Sequence, residues 1–126
     1  MHQLEVPLKN NKYTILIKQE LGKMFNSMLE NTKDYSKIFI ITQQSIIDSV
    51  NCNALSTYPT IIIPEGEDSK SISTVDSVVK QLIDLGCNRD SLLVGFGGGT
   101  VTDLTGFVAS IFVRGIDHVF IPTTLL

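Results

Sequence analysis

Three consecutive glycines, 97–99, interrupt an apolar stretch, and a helix-like pattern with one acid, Asp103, begins directly after them. A strand, a glycine turn and a helix in this order place backbone N–H groups and the positive end of a helix dipole at one point, where an anion such as a pyrophosphate can bind. The strict G-x-G-x-x-G spacing is not met, because Thr100 occupies the sixth position counted from Gly95. A tight turn with close packing of helix against strand is the alternative interpretation.

A second polar segment, residues 64–70 (PEGEDSK), follows another apolar stretch. Its carboxylates can accept hydrogen bonds from the hydroxyl groups of a ribose, and Lys70 can balance their charge. The alternative is a solvated loop in which Glu67 and Lys70 form an ordinary charge pair three residues apart.

Further groups suited to a ligand occur near the end of the chain. Thr123 and Thr124 present paired hydroxyls that suit a ribose or a phosphate, but also an ordinary turn after a strand. Arg114 can bind a phosphate through two parallel hydrogen bonds, although a cation followed by a glycine is also a common helix ending. Asp103 could simply stabilise the start of its helix.

The periodicity of apolar residues predicts that strands and helices alternate. Segments 4–8 and 13–18 are predicted to pair as an N-terminal hairpin. Continuous apolar strands are predicted over 37–42, 60–64, 91–96 and 118–123. Helical spacing predicts helices over 19–30, about 44–50, 71–86 and about 100–113. In the helix over 71–86, Ser73 and Asp76 are predicted to form a capping box, and Gly86 a C-terminal cap.

Strands that are continuously apolar are buried on both faces, as in parallel sheets covered by helices. The predicted fold is therefore α/β: an open, doubly wound, mainly parallel Rossmann-like sheet with an N-terminal β-hairpin, forming one dinucleotide-binding domain over residues 1–126. In such sheets ligands bind beyond the carboxyl ends of the strands. The polar segments follow four different strands, with Gln43 after the first, so they are expected to meet at one edge.

The composition allows a single domain with a core, because 43% of the 126 residues are hydrophobic. A net charge of −3 without a basic stripe argues against nucleic acid or an anionic membrane as partner. No apolar run approaches the roughly 20 residues that span a bilayer. The histidines, His2 and His118, and the cysteines, Cys52 and Cys87, stand apart, so no metal cluster and two reduced thiols are expected.

The motifs at 64–70, 97–110 (GGGTVTDLTGFVAS), 114–116 (RGI) and 121–126 (IPTTLL) resemble, in order and spacing, the N-terminal domain of the 3-dehydroquinate synthase family. The resemblance implies an enzyme of the shikimate pathway with 3-deoxy-D-arabino-heptulosonate 7-phosphate as substrate. Its implied products are 3-dehydroquinate and phosphate, reached by transient oxidation by bound NAD, β-elimination, re-reduction and aldol closure.

The same resemblance assigns roles to individual residues. Arg114 resembles an arginine that reaches into a dimer partner's active site near the substrate phosphate. Gln43 stands where the family often has Asp or Asn, and Thr102 stands where a glycine usually precedes the Asp. The NAD contacts that the resemblance implies are Gln43, Glu65, Gly66, Glu67, Lys70, Gly98, Gly99, Thr100, Asp103, Thr123 and Thr124.

In the family, the substrate-binding lysines and the metal-binding glutamate and histidines lie in a later helical domain, which this chain does not reach. We therefore expect the chain to be the cofactor domain of a larger, homodimeric, cytoplasmic enzyme. A zinc or cobalt ion is expected only with the C-terminal domain, and residues 1–126 alone are expected to be inactive. Two alternatives stay open: another sugar-phosphate cyclase, such as 2-deoxy-scyllo-inosose synthase, and a non-catalytic NAD-binding module.

Overall fold

The computed structural model describes residues 2–17, 34–50 and 54–123. Strands β1 (His2–Leu8) and β2 (Asn11–Ile17) pair antiparallel around a turn at residues 9–10, which confirms the predicted N-terminal hairpin. This hairpin is separate from the main sheet. The helix predicted over 19–30 lies outside the described residues.

The main sheet contains four parallel strands: β3 (Ile38–Thr42), β4 (Thr60–Ile62), β5 (Leu92–Gly97) and β6 (Asp117–Pro122). Their spatial order is β4-β3-β5-β6. The chain passes from β3 to β4 on one side and then to β5 on the other. The carboxyl ends of β3 and β5 therefore flank the topological switch point, where open α/β sheets bind ligands.

Helices cover both faces of this sheet, which confirms the doubly wound α/β fold. Helices α1 (Gln44–Ser49) and α2 (Ala54–Thr57) connect β3 to β4 and contribute to one apolar cluster. Helices α3 (Ile72–Asp84) and α4 (Gly99–Ile111) contribute to the cluster on the other face. The short helix α2 was not predicted from the sequence. Within the described ranges, no helix is both long and apolar enough to cross a membrane.

The ends of α3 show where cap prediction succeeded and where it failed. The hydroxyl of Ser71 accepts a hydrogen bond from the backbone N–H of Thr74 at 3.2 Å, so Ser71 is the N-cap and the predicted capping box of Ser73 and Asp76 is wrong. Gly86 has φ of +83°, and its N–H and the next N–H donate to carbonyls of the last helical turn. Its predicted role as the C-terminal cap is therefore confirmed.

Close packing of α4 on β5 depends on two glycines of the strand. A Cβ atom at Gly95 would lie 2.6 Å from Oγ1 and 2.9 Å from Cβ of Thr105. A Cβ atom at Gly97 would lie 2.7 Å from Cγ2 of Val101. Val101 and Thr105 are fully buried, so they have no free space into which to move. Close helix–strand packing therefore accounts for Gly95 and Gly97.

Replacing Gly95 with Ala should lower the free energy of unfolding by about 2 kcal/mol, because overpacking of a filled core costs about 1–3 kcal/mol. Gly106→Ala is a matched control. Its Cβ would meet the Phe120 ring tip at 3.0 Å, and that ring is 43% exposed and can move. Urea unfolding measures the free energy of unfolding of both variants. Equal losses would show that the contact between Gly95 and Thr105 is no more restrictive than the contact between Gly106 and Phe120.

Candidate functional site

The ends of β3 and β4 are tied together by two side chains. Gln43 is buried, and its Nε2 donates to the carbonyl oxygen of Pro64 at 3.0 Å. The carboxylate of Glu65 accepts from the backbone N–H of Ser45 at 3.0 Å and from the Ser45 hydroxyl at 3.2 Å. Glu65 therefore caps the start of α1, a role that the sequence analysis did not foresee. Contact of Gln43 and Glu65 with a ribose stays a prediction.

Gly66 turns the loop that follows. Its φ of +85° is in the left-handed region that favours glycine, and the short 3-10 turn Glu67–Ser69 begins directly after it. The Ser69 hydroxyl is buried and donates to the carbonyl oxygen of Gly66 at 2.7 Å, which closes the turn. The loop therefore has a defined shape that presents Glu67 and Lys70 toward α4.

A network of polar side chains joins this loop to α4. Lys70 Nζ lies 2.9 Å from Asp103 Oδ2 and 3.5 Å from Glu67 Oε2. The Thr100 hydroxyl donates to Glu67 Oε1 at 3.0 Å. The expected charge pair three residues apart is present, but Lys70 also bridges to a different element. The side chains of Glu67 and Asp103 are 78% and 66% exposed, so both carboxylates remain accessible to a ligand.

The pKa of Lys70 is raised above its ordinary value, mainly because Asp103 accepts a hydrogen bond from its ammonium group and also because both carboxylates carry negative charge. A raised folded-state pKa means that the pairing stabilises the fold below the ordinary lysine pKa and is lost as pH rises through the raised value. Lys70 is therefore charged at neutral pH. Since the group is solvated, the pairing contributes little to stability, and its main effect is on side-chain position.

The start of α4 lies beside this network, at the switch point. Gly97 ends β5, Gly98 is the N-cap, and Gly99 is the first residue of the helix. In the part of the chain that the structure describes, no side-chain hydrogen bond caps this helix start. Asp103 is the fifth helical residue and lies outside the first turn, so the alternative that it stabilises the helix start is wrong. The first backbone N–H groups of α4 are thus suited to bind an anion.

The fourth strand end lies next to the glycine turn. The backbone N–H of Thr123 donates to the carbonyl oxygen of Gly97 at 2.8 Å, and the Thr123 side chain is exposed. Thr124 lies outside the described residues, so its predicted contact is not tested. The four polar segments therefore meet at one edge of the sheet, as expected.

Arg114 lies at the other end of α4 from the glycine turn, about 20 Å away at 1.5 Å per helical residue. The helix ends at Ile111 and is followed by the 3-10 turn Phe112–Arg114. Arg114 is exposed, and within the described ranges its guanidinium makes no hydrogen bond or ion pair. Gly115 has φ of +106° and is the C-cap of this 3-10 turn, so the cation-and-glycine ending is present but belongs to the turn rather than to α4.

The family model described as 3-dehydroquinate synthase N-terminal matches residues 60–126. The chain belongs to the 3-dehydroquinate synthase family. Proteins named 3-dehydroquinate synthase from Dictyoglomus thermophilum and Oceanobacillus iheyensis are 44% and 37% identical to it, over 128 and 132 aligned residues. These alignments cover 100% of the chain but only 35% and 36% of the relatives, so the chain corresponds to their N-terminal part.

Solved structures of sugar-phosphate cyclases share the fold. A 2-deoxy-scyllo-inosose synthase superposes with a TM-score of 0.80 at 23% identity, over 98% of this chain and 36% of its own. A 2-epi-5-epi-valiolone synthase from Streptomyces hygroscopicus, solved with NAD⁺ and Zn²⁺ bound, has a TM-score of 0.70 at 26% identity, over 95% of this chain and 35% of its own. Both matches confirm the predicted fold class of this 3-dehydroquinate synthase family member.

A shallow apolar pocket adjoins the Lys70–Asp103 pair. Its walls include Ile72 from the start of α3 and Leu104 and Phe107 from α4. Ile72 is 86% exposed and Phe107 is 54% exposed. The polar site of this family member therefore continues directly into exposed apolar surface.

Two residues at this edge have contacts to which the sequence assigned no role. The buried Thr42 hydroxyl donates to the carbonyl oxygen of Phe96 at 2.6 Å and links the ends of β3 and β5. Ser45 is the partner of Glu65 described above. A serine near a helix start is a recognisable signal for a cap, but its carboxylate partner lies 20 residues away, beyond the reach of local patterns.

If Glu65 caps α1, Glu65→Ala should lower the free energy of unfolding by about 1 kcal/mol, the usual effect of losing a cap. Glu67→Ala should change it by less than about 0.5 kcal/mol, because Glu67 makes only exposed contacts. Ser45→Ala is a control that removes the hydroxyl contact but retains the backbone one. Chemical denaturation distinguishes the cases, and a smaller loss for Glu65→Ala than for Glu67→Ala would contradict the capping role.

Proposed function

We propose that this chain is the NAD-binding part of a 3-dehydroquinate synthase, with residues 1–126 forming one dinucleotide-binding domain. The observation that carries the proposal is the uncapped start of α4 at the switch point, beside the accessible carboxylates of Glu67 and Asp103. A dinucleotide needs backbone N–H groups for its pyrophosphate and acceptors for its ribose hydroxyls. This edge has both kinds of group within one network.

Different residues are proposed to contact the pyrophosphate and the ribose hydroxyls of NAD. Gly98, Gly99 and Thr100 hold the pyrophosphate, because side-chain-free backbone at a helix start allows close approach. Glu67 and Asp103 accept hydrogen bonds from ribose hydroxyls. Lys70 keeps the two carboxylates from repelling an anionic ligand, since it is charged at neutral pH and contacts both of them.

The remaining proposed NAD contacts lie around this centre. Gln43 donates to Pro64 through Nε2, and its amide oxygen is proposed to accept from a ribose hydroxyl. The family resemblance assigns further NAD contacts at the edge of this site to Glu65, Gly66, Thr123 and Thr124. When bound, NAD would take a hydride from the substrate and return it, and the residues of this chain would bind and orient it.

The zinc or cobalt ion expected for the family is not assigned to these residues. Within residues 2–17, 34–50 and 54–123, no three His, Cys, Asp or Glu side chains are grouped so that they could hold a metal. A catalytic zinc site needs about three protein ligands and an open position. We propose that the metal belongs to a part of the enzyme outside these ranges.

For the whole enzyme, we propose conversion of 3-deoxy-D-arabino-heptulosonate 7-phosphate into 3-dehydroquinate and phosphate. Identity of 44% to a protein named 3-dehydroquinate synthase supports this reaction over that of the 2-deoxy-scyllo-inosose synthases, which are 22–23% identical. One of those was solved with carbaglucose-6-phosphate, NAD⁺ and Co²⁺. We further propose a homodimeric, cytoplasmic enzyme whose partner is a small sugar phosphate rather than nucleic acid or membrane.

Combining Glu67→Gln with Asp103→Asn should weaken NAD binding at least about 10-fold, because each hydrogen bond to a charged group contributes about 1.5–3 kcal/mol and a neutral amide oxygen retains only part of it. Asp76→Asn is the matched control, since Asp76 is an exposed carboxylate that pairs with Lys80 on α3 at 2.8 Å. Isothermal titration calorimetry measures all three proteins. Unchanged affinity in the double variant would place the cofactor elsewhere.

In the complete enzyme, Arg114→Ala should raise the KM for the sugar phosphate at least about 10-fold and change NAD affinity less than twofold. Arg114 lies a full helix length from the proposed pyrophosphate site, and its guanidinium suits phosphate contact. Arg89→Ala, at an exposed arginine in the turn before β5, controls for loss of positive charge. Steady-state kinetics gives the KM for the sugar phosphate, and calorimetry gives the affinity for NAD. Equal weakening of substrate and NAD binding would instead indicate a purely structural role.

A further inference from the structure

The backbone after α4 adopts an uncommon conformation. Val113 has φ of 46° and ψ of 45°, Arg114 has φ of 68°, and Gly115 has φ of 106°. Helices often end with one left-handed residue, usually a glycine. Here two residues with side chains precede the glycine, and one of them is β-branched. A valine in the left-handed region is a genuine outlier and is strained.

Buried anchors on both sides hold this conformation in place. Phe112 and Ile116 are 4% and 7% exposed and belong to the same apolar cluster. The N–H of Gly115 donates to the carbonyl oxygen of Phe112 at 2.8 Å, and the N–H of Ile116 donates to that of Ala109 at 2.9 Å. The chain must therefore make its reversal within three residues, and the surrounding fold imposes the strain.

Packing of the strained residues themselves does not explain the strain. Val113 is 50% exposed and Arg114 is exposed. Glycine or asparagine at position 113 would adopt the same backbone conformation at lower cost. Strained backbone that side-chain packing does not require is typical of sites where a group is held ready for a ligand.

We propose that Val113 is a positioning residue, whose left-handed backbone fixes the direction in which Arg114 projects from the fold. A β-branched side chain at positive φ leaves few backbone conformations, so Val113 makes the turn stiff where a glycine would make it adaptable. The functional consequence rests on the proposed role of Arg114 toward a substrate phosphate. The stiffness itself is a property of this chain and does not depend on that role.

The first test uses the isolated chain and NMR relaxation. Val113→Asn should keep the left-handed conformation at lower cost, so the midpoint of thermal unfolding should rise by about 4 °C and the Arg114 backbone N–H should stay ordered. Val113→Gly should lower the order parameter of that N–H from about 0.85 to below about 0.6. An unchanged order parameter in Val113→Gly would overturn the proposal, whatever the enzyme does.

The second test uses the complete enzyme and compares KM with kcat. Val113→Gly should raise the KM for the sugar phosphate about fivefold with little change in kcat, whereas Val113→Asn should leave both unchanged. If Arg114→Ala raises the KM while Val113→Gly does not, positioning by Val113 is overturned. Failure of the complete enzyme to form dehydroquinate would contradict the proposed function alone, because the order parameter of Arg114 still decides whether Val113 holds it in place.

Discussion

The close contact between α4 and β5 is the constraint on which the site depends. Two strand glycines, Gly95 and Gly97, let Val101 and Thr105 lie directly on the sheet. This contact sets the distance between the helix and the sheet. It therefore also sets where the first N–H groups of the helix lie relative to the neighbouring strand ends. Thr100 and Asp103, which contact Glu67 and Lys70, lie on this helix, so their positions depend on the same contact. The glycines next to the candidate anion site thus act through packing as well as through access to the backbone.

Several polar groups at this edge have both structural and proposed binding roles. Gln43 and Glu65 link strand ends, while Glu67, Lys70 and Asp103 link a loop to a helix. The structural role of Gln43 and Glu65 is the stronger one, because Gln43 is buried and Glu65 caps the start of a helix. The second group is exposed and contributes little to stability, which leaves it free to rearrange around a ligand. The exposed apolar surface at Ile72 and Phe107 extends this edge.

The sequence predicted the sheet well because continuous apolar strands and helical periodicity are local signals. It also placed the polar segments at one edge, since parallel strands share a direction. Features that depend on distant partners were not predictable. The family resemblance assigned Glu65 to the cofactor-ribose loop, and nothing local showed that Glu65 would also accept hydrogen bonds from Ser45. Asp103 was given an alternative role at a helix start, but the helix begins four residues earlier, at Gly99. The left-handed conformation at Val113 had no signal, because valine is a residue that normally argues against it.

Titration of NAD into the isotope-labelled chain, followed by amide chemical shifts in NMR, tests the proposed cofactor site most directly. If NAD binds at the start of α4, the largest shifts should occur at Gly98, Gly99 and Thr100, with smaller ones along residues 66–70 and at Thr123. The amides at the opposite edge, in the turn at Arg89 and Asp90, should not move. Shifts centred on that turn, or none at the glycine residues at saturating NAD, would contradict a dinucleotide site at the start of α4.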